Sequence, residues 1–477
     1  MTNSFYFYDL ETSGVNPRQQ RIMQFAGQRT DMDLNAVGEP HNILLKLTDD
    51  VVPDPWAILV TGITPQKTKQ EGITEAEFLK IFSKEIAVPG TIFIGFNTVR
   101  FDDEFMRYLH YRNFYDAFEW HWKDGKSRWD LLDASRMMRA LRPEGIKWPF
   151  ATDGKPTNRL ESLTKVNNLA HDNAHDALSD VQATIALAKL IKNKQPKLFE
   201  YLLNLRDKKK VESLVSSSQP FVYSSGKYSS DREKTAVAMY IGDNPKTGAL
   251  VFDLYQDPSS WLDKSPVELA EAWKWKKDSD EPRLPVKTLQ YNRCPAVAPL
   301  SVLDDKSKQR LKISDHIINK HQKLLEGNKT EFYKNLLEAL KIMNKQQQSD
   351  MFTSNQDVDA QLYDGFFGHD DKKLMNKIHS LNFKELAGFK PRFQDKRLQP
   401  LFLLFKARNF PEILTEKEQA KWQAYKAQKL IGGGDKSKLA EYFKTLQKIS
   451  ADKVTNDVYL LEELKLYGES IAPHEEV

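Results

Sequence analysis

Four carboxylates and one imidazole occur in order within the first 180 residues: Asp9-Leu10-Glu11, then Asn97-x-x-x-Phe101-Asp102, then His175-x-x-x-x-Asp180. Carboxylates hold divalent cations, and an imidazole takes a proton from water, so the set suits two-metal hydrolysis of a phosphodiester. Each signal is weak alone. Two other D-x-E triplets exist, Asp102–Glu104 and Asp231–Glu233. Asp9 and Glu11 stand out because they follow the aromatic run Ser4–Tyr8, where unpaired buried acids would be costly. Two apart at a strand end, they point to one face. Asp102 follows the apolar strand Ile92–Phe96 and a short connection; its bland alternative is a cap for the helix starting at Asp103.

The histidine signal is ambiguous, because His171–Asp176 has the same spacing as His175–Asp180. Ala177, Leu178, Val181, Ile185, Ala188 and Leu190 mark a helix beginning near Asp176. Asp176 is then a natural cap, and Asp180 lies inside the helix beside its apolar stripe. Five residues along one helix turn a side chain by about 140°, so His175 belongs in the preceding loop.

The elements that must position these groups are short. Ser4–Tyr8 reads as a buried strand entering a turn at Asp9, with Arg21–Thr30, His41–Leu47 and Thr91–Phe96 as further strands. Helical spacing marks Thr74–Ile86, Asp103–Tyr111, Trp129–Leu141, Leu160–Val166 and Asp176–Lys192, which makes one α/β domain over 1–195. Asn204–Thr235, with Lys208-Lys209-Lys210 and Ser216-Ser217-Ser218, reads as an exposed connector. A hairpin at Thr235–Ile241 and Ala249–Tyr255, with Val286–Tyr291 and Val297–Leu300, predicts a small β-rich domain with a helical extension, 196–350. Helices at Leu311–Leu325 and Glu331–Met343 follow, then an all-helical part, 351–477. Gly432-Gly433-Gly434 lacks phosphate-loop spacing and reads as a helix stop, with Asp435 capping the next helix.

The net charge is only +4 over 477 residues, so polyanion binding needs a local basic surface. The single cysteine, Cys294, excludes an intramolecular disulfide and a cysteine zinc cluster, and reads as a buried apolar residue. Neither a signal peptide nor a long apolar span is apparent, which points to the cytoplasm and away from membranes. Between 107 and 136, aromatic residues interleave with Arg107, Arg112, Lys123, Lys126, Arg128 and Arg136, a pattern suited to stacking bases and following phosphates. Tyr111, Phe114 and Trp129 read as core instead.

The ordered acids resemble the DEDDh family of 3′–5′ exonucleases. Asn97–Glu104, Tyr111–Asp116, Ser127–Asp133, Ala140–Ile146, Asn173–Ala177, Asp357–Tyr363 and Lys406–Pro411 extend the likeness to the bacterial exodeoxyribonuclease I family. This resemblance implies a ribonuclease-H-like exonuclease domain, an SH3-like domain and a helical C-terminal domain around single-stranded DNA. It implies Asp9, Glu11, Asp102 and Asp180 as ligands of two Mg²⁺ ions, with Mn²⁺ as substitute, and His175 as general base. That choice selects the His175–Asp180 register. Arg107, Phe118, Trp122, Arg136 and Arg159 match family positions that touch DNA or the scissile nucleotide, and Glu11 is assigned a substrate contact as well. Arg142 matches a position for the acidic C-terminal tail of single-stranded DNA-binding protein. Where many relatives carry histidine before Gly62-Ile63-Thr64, this chain has Thr61. The expected activity is processive 3′–5′ digestion of single-stranded DNA by a monomer, releasing nucleoside 5′-monophosphates in repair and recombination. An RNA-trimming enzyme and a non-catalytic strand-binding scaffold are the rival readings.

Overall fold

A computed structural model describes residues 3–171, 176–274, 281–352, 357–455 and 457–473. Strands β1 (Ser4–Thr12), β2 (Ile22–Thr30), β3 (His41–Leu44), β4 (Thr91–Gly95) and β5 (Ser127–Asp130) form a sheet in the order β3-β2-β1-β4-β5. β1 is antiparallel to β2 and parallel to β4. Both faces are covered, which explains an aromatic run without polar alternation. Phe5 and Phe7 join a core with Ala177 and Val181, whereas Tyr6 and Tyr8 pack with Phe25, Phe82 and Phe93.

Two expectations for this part change. β1 does not end at Tyr8 but runs to Thr12, because Asp9 and Glu11 remain paired with Ala26 and Gln24 of β2. Trp129 is in a strand, not a helix: it pairs with Ile94 and packs edge-on against Phe199. The helix starts afterwards, at Leu131, with Asp130 accepting from the Leu132 amide at 2.9 Å.

The second part is an antiparallel sheet of β6 (Phe221–Ser224), β7 (Thr235–Asp243), β8 (Ala249–Asp253), β9 (Val286–Leu289) and β10 (Ala296–Pro299), ordered β10-β6-β7-β8-β9. The expected connector at 204–235 is largely structured. Lys208–Val215 is a helix capped by Asp207, with Val211 and Val215 buried, and β6 follows. The serines and lysines had masked a helix whose two valines anchor it. The two helices expected within 311–343 are replaced by a short one at Asp305–Leu311 and one of 38 residues, Asp315–Phe352. Leu325, Phe332, Leu336 and Ala339 keep burying against the second sheet across the Gly327 interruption.

The remaining residues form helices, as expected, but Ser437 rather than Asp435 caps the helix Lys438–Ala451. Asp435 sits in a separate turn after Gly433, which takes a left-handed φ of 101°. Cys294 is buried, and burial pushes its thiol up to about 11. Among the described residues no helix is long and apolar enough to cross a membrane.

The helical part is fastened to the first by buried charge. Arg21 meets Asp359 at 2.7 Å, Arg408 meets Asp359 at 2.6 Å and Asp50 at 2.7 Å, and Lys429 meets Asp50 at 2.8 Å. Burial alone would raise the Asp50 and Asp359 carboxyls, but Arg408, Lys429 and Arg21 hold both well below the usual range. Removing one member strands the others without counter-charge. Asp359→Ala is expected to cost about 3–5 kcal/mol of stability in urea unfolding; a loss below about 1 kcal/mol would mean that the cluster is dispensable.

Candidate active site

The alternation of β1 places Phe5, Phe7, Asp9 and Glu11 on one face, and the helix Ala177–Lys194 packs on that face. Its start is tied to β2 by Gln24, the residue opposite Glu11. Gln24 Nε2 donates to Asp176 Oδ2 at 3.4 Å, and the Ala177 amide donates to Gln24 Oε1 at 3.4 Å. Asp176 accepts from the Ser179 amide at 3.0 Å and is the cap the sequence suggested. Asp180, one turn further on, therefore meets the strand: carboxylate oxygens of Asp9, Glu11 and Asp180 all lie within 4.8 Å of one another.

Asp102 arrives from the parallel neighbour, β4. Asn97 takes a left-handed φ of 72°. The turn is clamped by Asp130, which accepts from the Asn97 amide at 3.0 Å and the Val99 amide at 3.1 Å. Gly95 is required beside it, since a Cβ there would fall 2.0 Å from Thr98 Cγ2. Asp102 then begins the helix Asp102–Arg112 as its first residue, not as its cap. Its neighbour Asp103 is neutralised by the Tyr8 hydroxyl at 2.6 Å and by Arg128. Asp102 lies outside the tight trio, yet its charge is the foremost one acting on Asp9.

Burial and mutual repulsion define the electrostatics. Burial, then Asp102, Asp180 and Glu11, push the Asp9 carboxyl well above its usual range. Burial and the charges of Asp180 and Asp102 push Glu11 up to about 8. Asp102 is raised to about 7, mainly by burial and despite backbone amides that favour its anion. Converging, poorly solvated oxygen donors of this kind fit hard divalent cations. His175 lies outside the described residues. His171, left aside by the sequence argument, instead touches Asp180 Oδ1 through Nε2, while its Nδ1 lies 3.0 Å from Thr164 Oγ1.

A cleft of about 1140 Å³, which none of the four acids lines, is bounded by all three parts of the chain. Glu104, Arg107, Phe118 and Trp122 come from the first part, Arg206, Lys208, Lys210 and Arg293 from the second, and Tyr363 from the third. Trp122 is 57 % exposed, whereas Tyr111, Phe114 and Trp129 are core, as expected. Arg107 is less free than its sequence suggested: it pairs with Glu104 at 2.6 Å and lies over the Phe118 ring. Tyr363 donates to the same Glu104 at 2.5 Å, and Arg293 reaches it at 3.1 Å. Arg136, Arg159 and Arg142 do not line this cleft. Arg136 pairs with Asp133 and Arg159 is exposed beside Glu161, whereas Arg142 pairs with Asp304 at 3.3 Å. The lysine run 208–210 was visible in sequence but read as linker; Arg293 and Tyr363 had no local signal that placed them there.

Residues 6–188 match the family described as "Exonuclease", which sets the sheet and its acids within the exonuclease class of nucleases. The matches that follow are narrower: 206–341 to "Exonuclease I SH3-like domain" and 356–471 to "Exonuclease I C-terminal domain". The chain is 40 % identical to exodeoxyribonuclease I of Haemophilus influenzae, over 98 % of each sequence. A zinc-bound Escherichia coli exonuclease I complex with single-stranded DNA superposes with a TM-score of 0.91 at 37 % identity, covering 99 % of this chain and 100 % of the other. A structure described as SSB/Exonuclease I with an inhibitor gives 0.88 at 36 %, covering 99 % and 100 %. The chain belongs to the exodeoxyribonuclease I family and is a nuclease hydrolase.

Because the folded value of Glu11 is raised from 4.5 to about 8, its contribution to stability is fullest below pH 4.5 and is lost as pH rises through 8. In chelator, Glu11→Gln is expected to melt close to the parent at pH 5 and several degrees above it at pH 8, with saturating Mg²⁺ narrowing the gap. Calorimetry of both proteins across that range checks the sign.

Proposed function

We propose that this chain is a processive 3′–5′ exonuclease on single-stranded DNA that releases nucleoside 5′-monophosphates in repair and recombination. The observation that carries the reading is the convergence of Asp9, Glu11 and Asp180, in a chain that also has a cleft with basic and aromatic walls. Asp9, Glu11, Asp102 and Asp180 would hold two divalent ions, Mg²⁺ with Mn²⁺ as substitute, because every donor is a carboxylate oxygen. Bound there, such ions supply charge neutralisation at the phosphodiester and acidify attacking water.

The chain's own residues do the rest. His175 accepts the proton of the water that attacks the terminal phosphodiester, and Glu11 faces the end of the strand as well as the cations. Trp122 and Phe118 offer rings on which bases stack, worth about 1–3 kcal/mol each and tolerant of any sequence. Arg107 lies beside Phe118 in this cleft. Arg136 and Arg159, outside the cleft, are assigned contacts with DNA or the scissile nucleotide through their family positions. A cleft lined by three modules supports processivity, since a strand threaded between them dissociates slowly. The domains proposed are 1–195, 196–350 and 351–477, and the protein is proposed to work as a cytoplasmic monomer.

Asp9→Ala is expected to abolish nucleotide release while binding single-stranded DNA like the parent, and His175→Ala to lose about 10²–10⁴ in rate. Time courses on labelled single-stranded DNA, duplex DNA and RNA of equal length, with and without chelator, check this. Digestion by Asp9→Ala at the parent rate would refute the cation site, and preference for RNA would refute the substrate.

The relative described as SSB/Exonuclease I supports a second partner, the acidic C-terminal tail of single-stranded DNA-binding protein. Arg142, whose side chain is one-third exposed, is the proposed contact. Arg142→Ala is expected to weaken binding of a tail peptide about tenfold, as for loss of one charge-assisted contact. Equal affinities in a peptide titration would remove this assignment.

A further inference from the structure

We infer that His171 is a positioning residue for the cation site: it holds the Asp180 carboxylate in the orientation that faces Asp9 and Glu11. The inference rests on the nuclease reading above and concerns how one ligand is aimed. The His171 side chain is 5 % exposed and contacts Asp180 Oδ1 through Nε2. A carboxylate only accepts, so Nε2 carries the hydrogen in this contact. The ring is fixed at its other end, where Nδ1 lies 3.0 Å from Thr164 Oγ1. Thr164 is fully buried, and its hydroxyl also lies 3.0 Å from the Leu160 and Glu161 carbonyls of the helix Leu160–Val166. A rigid chain of contacts thus runs from that helix through the imidazole to Asp180.

The geometry suits orientation. Asp180 sits in the first turn of its helix, with its side chain 18 % exposed, and repulsion from Asp9 and Glu11 acts on its carboxylate. That repulsion favours swinging the carboxylate away from the cluster. Fixing Oδ1 on His171 holds the group where its oxygens meet the other two acids. Groups that orient a metal-binding carboxylate in this way typically change metal affinity about 10–100-fold when removed. His171 is therefore distinct in role from His175, although both fit the same sequence spacing.

The test is Mn²⁺ binding to the full chain without DNA, followed by electron paramagnetic resonance, together with Mg²⁺ dependence of single-stranded DNA digestion. His171→Ala is expected to weaken Mn²⁺ binding about 10–100-fold and to raise the Mg²⁺ needed for half-maximal rate by a similar factor. His171→Gln, whose amide can donate near the position of Nε2, should recover most of the loss. Thr164→Val, which removes only the hydroxyl, should shift binding in the same direction by less. Melting temperatures in chelator identify any variant that is simply unfolded, and Thr164→Val then still reads out the effect. Unchanged Mn²⁺ affinity in His171→Ala, or equal losses in the alanine and glutamine variants, would overturn the role. A parent protein that binds no Mn²⁺ would instead overturn the cation site, and this inference with it.

Discussion

Repulsion among carboxylates that the fold forces together is the interaction on which the remainder of this protein is arranged. Left free, Asp9, Glu11, Asp102 and Asp180 would separate into solvent. Instead Asp9 and Glu11 are locked into β1 by pairing with β2, and Asp102 and Asp180 arrive on helices whose starts are clamped by Asp130 and Gln24. Burial, together with this repulsion, pushes the Asp9, Glu11 and Asp102 carboxyls up from their usual range. A divalent cation bound among them would relieve that repulsion.

Neighbouring acids show how selective this arrangement is. Asp103, next to Asp102, is bound by Tyr8 and Arg128 and serves the structure. Asp176, one turn before Asp180, caps its helix. Asp50 and Asp359 are buried yet held as anions, because arginine and lysine surround them. Burial by itself distinguishes none of these groups; the sign of the nearest charge does. The same buried pairs join the helical part to the strand-bearing part, so the walls of the cleft are fixed relative to the acids. Glu104 carries that link to the cleft: it lies two residues beyond Asp102 and gathers Arg107, Arg293 and Tyr363 from three parts of the chain.

Much of this was legible beforehand where the signal was local. The aromatic strand, the cap at Asp176, the 235–255 hairpin and the buried Cys294 all follow from short-range rules, and the structure contains them. Local signals failed where distant packing overrode composition. Trp129 became strand because β4 supplied a partner, and the serine- and lysine-rich 204–235 region folded because Val211, Val215 and β6 found a core. Gly327 did not break its helix, since buried residues on both sides remained in register with the second sheet.

The order of acids along the polymer was enough to suggest a chemistry, because strand alternation and helix capping act over a few residues. Whether Asp102 caps its helix, and which described histidine touches Asp180, depended on contacts between elements remote in the chain. So did the cleft, whose arginines, lysines and tyrosine come from positions 107 to 363 and share no pattern. Charges act through space, and only the packed chain specifies which charges are close.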